Sequence, residues 1–378
     1  MKKLLIIFII LILLFFSGII YTYTGRFVNI IQPGSMVTEA SYIIFTDGTN
    51  YYARNGFTGK IDYKGNDAAS IIQQAINTLT NGGKIVIMDG DFRITSPLIL
   101  KNNMRLEISP GTVLKAVNNM NRLIDGRDKS NVNIEGLGKI QCNGLASIGI
   151  DFTQSTQLVT HNRVYDVKIF GATDAGLDFT NNSEFLLSGE WEINGAIEWS
   201  GPSPTIYSNY GIRVKDSGGQ NNIIGGSVQA CKVACLYMSG GTLKIYSGAI
   251  MSAGTASIMV EGVNPGNDLF IYGTWFENPY YNKSNIYIKG EPYSVGILEL
   301  HGVQMFSEVV NVAGTGKLDY LGIYGGWIIT TTGKYNVDMN INTLSALPNV
   351  YGTYNESNPM LGFIDLSKVD TTRSLVTK

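Results

Sequence analysis

The sequence predicts an all-β solenoid: a single-stranded right-handed parallel β-helix with an N-terminal capping α-helix, preceded by one transmembrane helix. Short strands that close on a glycine recur along most of the chain, and only two segments carry a helical pattern. Glycine accounts for 44 of 378 residues, while charged residues stop at 15%, against roughly a quarter in typical soluble domains. That balance suits stacked strands and tight turns, and leaves too little charge for the outer faces of many amphipathic helices. Hydrophobic residues at 44% with a net charge of −2 exclude a disordered chain. The near-neutral balance, without a Lys/Arg stripe, also gives no footing for a nucleic-acid partner.

Residues 1–24 read as a membrane anchor. Lys2 and Lys3 precede an unbroken apolar run from Leu4 to Phe16, which Ser17, Gly18, Ile19 and Ile20 continue. As a helix, residues 4–20 rise about 26 Å, close to the ~30 Å hydrocarbon core. Tyr21 and Tyr23 stand where interfacial aromatics are expected, and the lysines mark the cytoplasmic end. A cleaved signal peptide is the competing reading, but its apolar region usually spans about 7–15 residues and ends in small residues. Either way the remainder faces outward, tethered in the first case and secreted in the second.

Residues 25–40, with Gln32-Pro33-Gly34-Ser35, read as a linker. Residues 41–66 form a β-hairpin region, in which Tyr42–Thr46 and Tyr51–Arg54 flank Asp47-Gly48 and Asn55-Gly56 adds a second turn. Residues 67–83 are a capping helix and its turn. Asp67 caps it, and Ala68, Ile71, Ile72, Ala75, Ile76 and Leu79 form its apolar stripe. Asn81-Gly82-Gly83 ends it in left-handed geometry.

From residue 84 to 333 the period changes to strand-glycine units, among them Asn133-Ile134-Glu135-Gly136, Lys168-Ile169-Phe170-Gly171, Ile245-Tyr246-Ser247-Gly248, Phe270-Ile271-Tyr272-Gly273 and Glu299-Leu300-His301-Gly302. Glycines 226, 248, 273, 302 and 325 are 22, 25, 29 and 23 residues apart. Units of this length cannot bury a face alone and must stack. Residues 334–378 lose the repeat and read as a C-terminal cap and tail.

Asp67-Ala68-Ala69, Gly82-Gly83-Lys84-Ile85-Val86-Ile87, Pro97-Leu98-Ile99-Leu100-Lys101, Gly111-Thr112-Val113-Leu114-Lys115 and Asn131-Val132-Asn133-Ile134-Glu135-Gly136 follow one another in a layout that resembles the pectin-lyase-like β-helix superfamily. Polygalacturonases, pectate lyases and phage tailspike-type proteins belong to it. The resemblance implies a polysaccharide partner, but the fold hosts hydrolases, lyases, isomerases and pure binders. The polygalacturonase signature of N-T-D, paired aspartates, G-H-G and R-x-K is absent as a set. Arg213-Val214-Lys215 spells R-x-K and His301-Gly302 spells part of G-H-G, in the wrong order.

Candidate catalytic groups are therefore limited to Glu190 and Glu192, with Arg213. In a strand the two acids share a face about 6.6–7 Å apart, within the separation used by inverting glycosidases. Two solvated acids on an outward face are the plainer reading. His161 and His301 fit no metal-ligand spacing, and no metal or other cofactor is expected. Cys142, Cys231 and Cys235 read as small buried residues, because extension would hold the last two about 13 Å apart, beyond the reach of a disulfide.

A binding face is the stronger expectation. Tyr272, His301 and Tyr324 each precede an aligned glycine and alternate outward, forming a ladder across stacked turns. Trp191, Trp275 and Trp327 each lie two residues after such a glycine. Tyr272, His301, Tyr324, Trp275 and Trp327 are the candidate ligand-binding residues, with ring faces for sugar C–H surface and polar tips for hydroxyls. Asn181, Asn282 and Asn355 open N-x-S triplets and are candidate glycosylation sites. The expected function is surface recognition or adhesion toward polysaccharide, with oligomers compatible. A lyase or hydrolase with a non-standard site, or a virion surface component, would fit the same features.

Overall fold

The computed structural model describes residues 40–355, apart from 157, 197–204, 206, 263–266, 278–283, 290–294, 307, 313–317, 325–326, 330–336, 339–348 and 352–353. From Gly83 the chain winds as a parallel solenoid, each turn laying one strand on each of three faces. The first face starts Gly83–Ile87, Met104–Ile108, Asn133–Glu135, Arg163–Tyr165 and ends Leu318–Tyr324, Asn349–Tyr351. The second starts Gly90–Ile94, Thr112–Ala116, Lys139–Gln141 and ends Trp327–Ile329, Tyr354–Asn355. Among the described residues the third face is ten-stranded, from Leu98–Ile99 to Val337–Asp338. Leu186–Asn194 and Gln220–Cys231 run through the bend and belong to both the first and second faces.

Alternation along each strand fills the interior. On the first face Ile85, Leu106, Ile134, Val164, Leu187, Ile223, Ile245, Ile271, Leu300 and Ile323 form one register row, all buried. Each such side chain contributes about 1.5–3 kcal/mol on leaving water. Phe152, Phe179 and Phe185 stack inside, with centroids 5.6 and 3.8 Å apart. Where the third face turns toward the first, buried asparagines satisfy the backbone that the turn leaves unpaired. Asn162 Oδ1 accepts from Val132 N at 3.0 Å while its Nδ2 donates to Lys129 O at 2.9 Å. Asn182 Nδ2 donates to Phe152 O at 2.9 Å.

Helix α1 (Ala68–Thr78) lies against the start of the stack, packing on Tyr51–Asn55, Ile61–Gly65, Gly90–Ile94 and Leu98–Ile99. Asp67 Oδ1 caps it, accepting from Ala69 N at 3.2 Å and from Thr95 Oγ1 at 2.8 Å. Ile71, Ile72, Ala75 and Ile76 are buried beneath it. Gln73 pairs with the backbone of the edge strand, Nε2 to Ile99 O at 3.0 Å and Ile99 N to Oε1 at 2.8 Å.

Several expectations are corrected. The expected hairpin, Tyr42–Thr46 with Tyr51–Asn55, is present, and a third strand, Ile61–Gly65, extends it into an antiparallel meander whose first strand joins the solenoid by pairing in parallel with Gly83–Ile87. Pairing also runs past residue 333: Asn349–Tyr351 and Tyr354–Asn355 extend the first and second faces. The glycine landmarks mix two positions. Lys168-Ile169-Phe170 lies on the second face, and the first-face bend of that turn is Asp166, with φ 61°. In the later turn the bend residue is Ser247, φ 60°, and not Gly248.

Cys231 and Cys235 form a disulfide with Cα atoms 5.2 Å apart, and Cys142 is the free, buried thiol. The expectation of unpaired residues assumed one continuous strand. Instead Gln220–Cys231 ends the second face and Ala234–Ser239 begins the third, so the corner folds the two residues together. The expected membrane segment at residues 4–20, most of the linker and Asn282 lie outside the described residues. Among the described residues no helix is long and apolar enough to cross a membrane.

Candidate functional site

The outward column nearest the bend on the first face reads Glu107, Glu135, Tyr165, Ser188, Ile224, Tyr246, Tyr272, His301 and Tyr324. Four consecutive members stack as rings: Tyr246 on Tyr272 at 5.0 Å, Tyr272 on His301 at 4.8 Å, His301 on Tyr324 at 4.5 Å, within 9–19° of parallel. Strand spacing in a sheet, about 4.8 Å, sets these separations. Tyr246 was not among the expected members, because the nearby Gly248 sits one residue beyond the bend position.

The stacking changes what the ladder offers. The faces of Tyr272 and His301 are covered by their neighbours, so these two rings present edges and polar tips and not flat surfaces. Tyr320 and Tyr324 join hydroxyl to hydroxyl at 2.5 Å, and His301 Nε2 lies 3.0 Å from Glu299 Oε2. Burial raises the Tyr272 phenol pKa, with smaller contributions from Tyr246 and the Glu299 carboxylate. The ladder is a comb of hydrogen-bonding groups at regular intervals.

A flat ring stands on the other side of the bend. Trp275 opens the second-face strand Trp275–Glu277 and is 43% exposed. Its register neighbours are Ala249 and Gln304, neither aromatic, and Trp327 holds the same position one turn past Gln304. Among the described residues no ring stacks on Trp275. Gly273 and Gly302 form the bend between ladder and second face, with φ 61° and 60°, and nothing lies within 4 Å of where a Cβ would stand. The strip between Tyr272 and Trp275 is therefore open. Trp191 departs from its expected role: it is buried, with Nε1 donating to Ile224 O at 3.1 Å.

The catalytic candidates are not brought together. Glu190 and Glu192 flank buried Trp191 at the bend and second face, where Glu192 approaches Lys168 Nζ at 4.0 Å. Arg213 lies on the third face, held by Asp174 Oδ2 at 2.7 Å and Asp178 Oδ2 at 2.5 Å. Burial opposes its charge, but the Asp178 and Asp174 carboxylates outweigh this and raise its pKa.

Arg213 belongs to a column that sequence reasoning missed. Asp125, Asp151, Asp178 and Arg213 occupy one register row of the third face. Each aspartate accepts from the backbone N–H two residues on: Arg127, Thr153 and Thr180, at 3.1, 2.9 and 2.9 Å. Arg122 reaches Asp151 at 2.7 Å and Arg127 reaches Asp125 at 3.0 Å. Burial pushes the Asp125 carboxyl up, but the Arg127 hydrogen bonds and charge bring it below the usual range. The repeated Asp151-Phe152-Thr153 and Asp178-Phe179-Thr180 spell this column in the sequence. Paired in this way, the Asp125 carboxylate is held as an anion.

At Asn181 the amide that a glycan would need donates to Gln154 O at 3.0 Å, and the following Asn182 and Ser183 are buried. That triplet is spent on the turn. Asn355 lies in the strand Tyr354–Asn355. Among the described residues no three His, Cys, Asp or Glu side chains are grouped to hold a metal ion.

No protein-family model matches the sequence, and no curated protein sequence does. Solved structures do match the fold. The A-module of the Azotobacter vinelandii mannuronan C-5 epimerase AlgE4 superposes with a TM-score of 0.51 at 12% identity, covering 76% of this chain and 92% of that one. The endo-xylogalacturonan hydrolase from Aspergillus tubingensis gives 0.51 at 12%, covering 85% and 94%. The chain thus shares the parallel β-helix fold of these structures.

Proposed function

We propose that this chain recognises an extended polysaccharide along the edge between its first and second faces. Trp275 supplies the apolar stacking surface and the Tyr246–Tyr272–His301–Tyr324 comb supplies hydrogen bonds. The observation that carries this reading is the exposed, unstacked Trp275 ring beside an open glycine bend and a regular row of polar ring tips. Stacking against an apolar sugar face and directed bonding to hydroxyls are the two parts that saccharide recognition needs.

Outward display from an anchor at residues 4–20 belongs to the same proposal. The apolar run supports it, and so does the Cys231–Cys235 disulfide, since disulfides persist in oxidising compartments.

The test is affinity electrophoresis of the full chain, in detergent, through gels loaded with different polysaccharides, comparing wild type with Trp275→Ala. Loss of one stacking contact worth about 1–1.5 kcal/mol weakens retention about tenfold. Retention unchanged by Trp275→Ala would place binding elsewhere and refute the reading.

A further inference from the structure

The charges around the ladder bear on which saccharide it takes, an inference that rests on the reading just given. Between Gln220 and Tyr324, the described outward positions of the first and second faces carry one cation, Lys244. Against it stand Asp268, Glu277 and Glu299. Glu299 sits in the column beside the ladder, with its Oε2 3.0 Å from His301 Nε2. Glu277 is exposed two residues beyond Trp275. Asp268 is partly committed, accepting from Ile297 N at 3.1 Å.

A polyuronate places a carboxylate on every sugar and needs cations at a matching interval. Arginine forks or lysines supply them in sites built for carboxylates. The described arginines of the third face are engaged elsewhere, Arg122 with Asp151, Arg127 with Asp125, and Arg213 with Asp174 and Asp178. On the ladder face the repeating groups are phenol hydroxyls and an imidazole, which pair well with neutral hydroxyls. The nearby carboxylates repel an acidic chain, and like-charge juxtaposition of this kind suppresses wrong partners.

We infer that the ladder face selects a neutral polysaccharide and rejects polyuronates. Within this fold, the face would then read uncharged sugars by ring stacking and hydroxyl contacts.

The full chain in detergent is run through gels containing a neutral galactomannan, a neutral β-glucan, polygalacturonate or alginate. The expected result is retention by a neutral polymer, lost in Trp275→Ala and little changed between about 50 and 500 mM NaCl. The Glu277→Gln/Glu299→Gln variant, conservative at outward positions, should gain about tenfold in polyuronate retention at low salt, since two like-charge repulsions are removed. Stronger Trp275-dependent retention by polyuronate than by either neutral polymer overturns the inference and leaves polysaccharide recognition standing. No retention by any polymer, or retention indifferent to Trp275→Ala, removes both.

Discussion

Replacing Arg213 by methionine tests whether the third-face column is held by charge or merely lies there. Arg213 keeps 19% of its side chain exposed and Asp178 only 3%, so the pair is shielded from water. The guanidinium gives Asp178 two contacts, 3.0 and 2.5 Å, and a third at 2.7 Å to Asp174. Methionine fills similar volume and removes all three. Stripping one partner from a buried pair costs about 3–5 kcal/mol, because the remaining charge loses both water and counterion. Thr180 still donates to Asp178 from its amide and its hydroxyl, at 2.9 and 2.7 Å, which places the expectation near the lower end, about 3 kcal/mol. Asp178→Asn in the same background keeps an acceptor for Thr180 and deletes the stranded charge. The double variant should recover most of the loss, giving a coupling of about 2 kcal/mol. Urea unfolding of the two single variants, the double variant and wild type, followed by circular dichroism, measures it. A cost under about 1 kcal/mol for Arg213→Met, or strictly additive losses, would show that solvent screens the pair and refute the argument.

Two further outcomes follow from the bends and the corner. Gly226 and Gly302 share a left-handed backbone, φ 62° and 60°, but a Cβ at Gly226 would stand 2.2 Å from the buried Trp191 ring while one at Gly302 meets nothing. Gly302→Ala should cost about 1–2 kcal/mol for conformation alone, and Gly226→Ala about 1–3 kcal/mol more, read as a larger fall in melting temperature. Equal falls would mean that Trp191 can move aside. Thiol titration of the unreduced chain in denaturant should find one reactive cysteine, Cys142, and three after reduction. Three before reduction would contradict the corner geometry.

Much of the fold is legible in the sequence because its signals are local. Asp67, the apolar stripe of α1 and Asn81-Gly82-Gly83 specify a helix within a few turns of chain. Inward residues such as Ile245, Ile271 and Leu300 show by alternation which side chains face out. Less legible is anything that depends on which turn stacks on which. A bend at φ near +60° can be made by Asp166 or Ser247 as well as by glycine, so spelling alone misplaces the register. That slip hid Tyr246 from a ladder whose other three members were visible. Trp275 is exposed, but the burial of Trp191 under the same spacing could not be read, since Gly226 and Ile224 come from the following turn. Only Asp125 of the aspartate column has a local arginine, Arg127, while Asp151 and Asp178 find theirs 29 and 35 residues away. The disulfide escaped for the opposite reason: four residues suffice to reach around a corner, but only if the corner is known.

The antiparallel meander at the start of the solenoid also governs what the molecule can join. A stack of parallel turns would accept another parallel strand at its end, and identical chains could then queue into filaments. Here the chain doubles back twice, so among the described residues the outermost strand of the first face at that end is Ile61–Gly65, antiparallel to its neighbour and parallel to the solenoid turns. It is five residues long and largely exposed, with Asp62 and Lys64 on it. A second copy arriving with its own turns would meet a short strand carrying charges in place of an apolar template, so it is Asp62 and Lys64, and not the strand's direction, that oppose growth from that end.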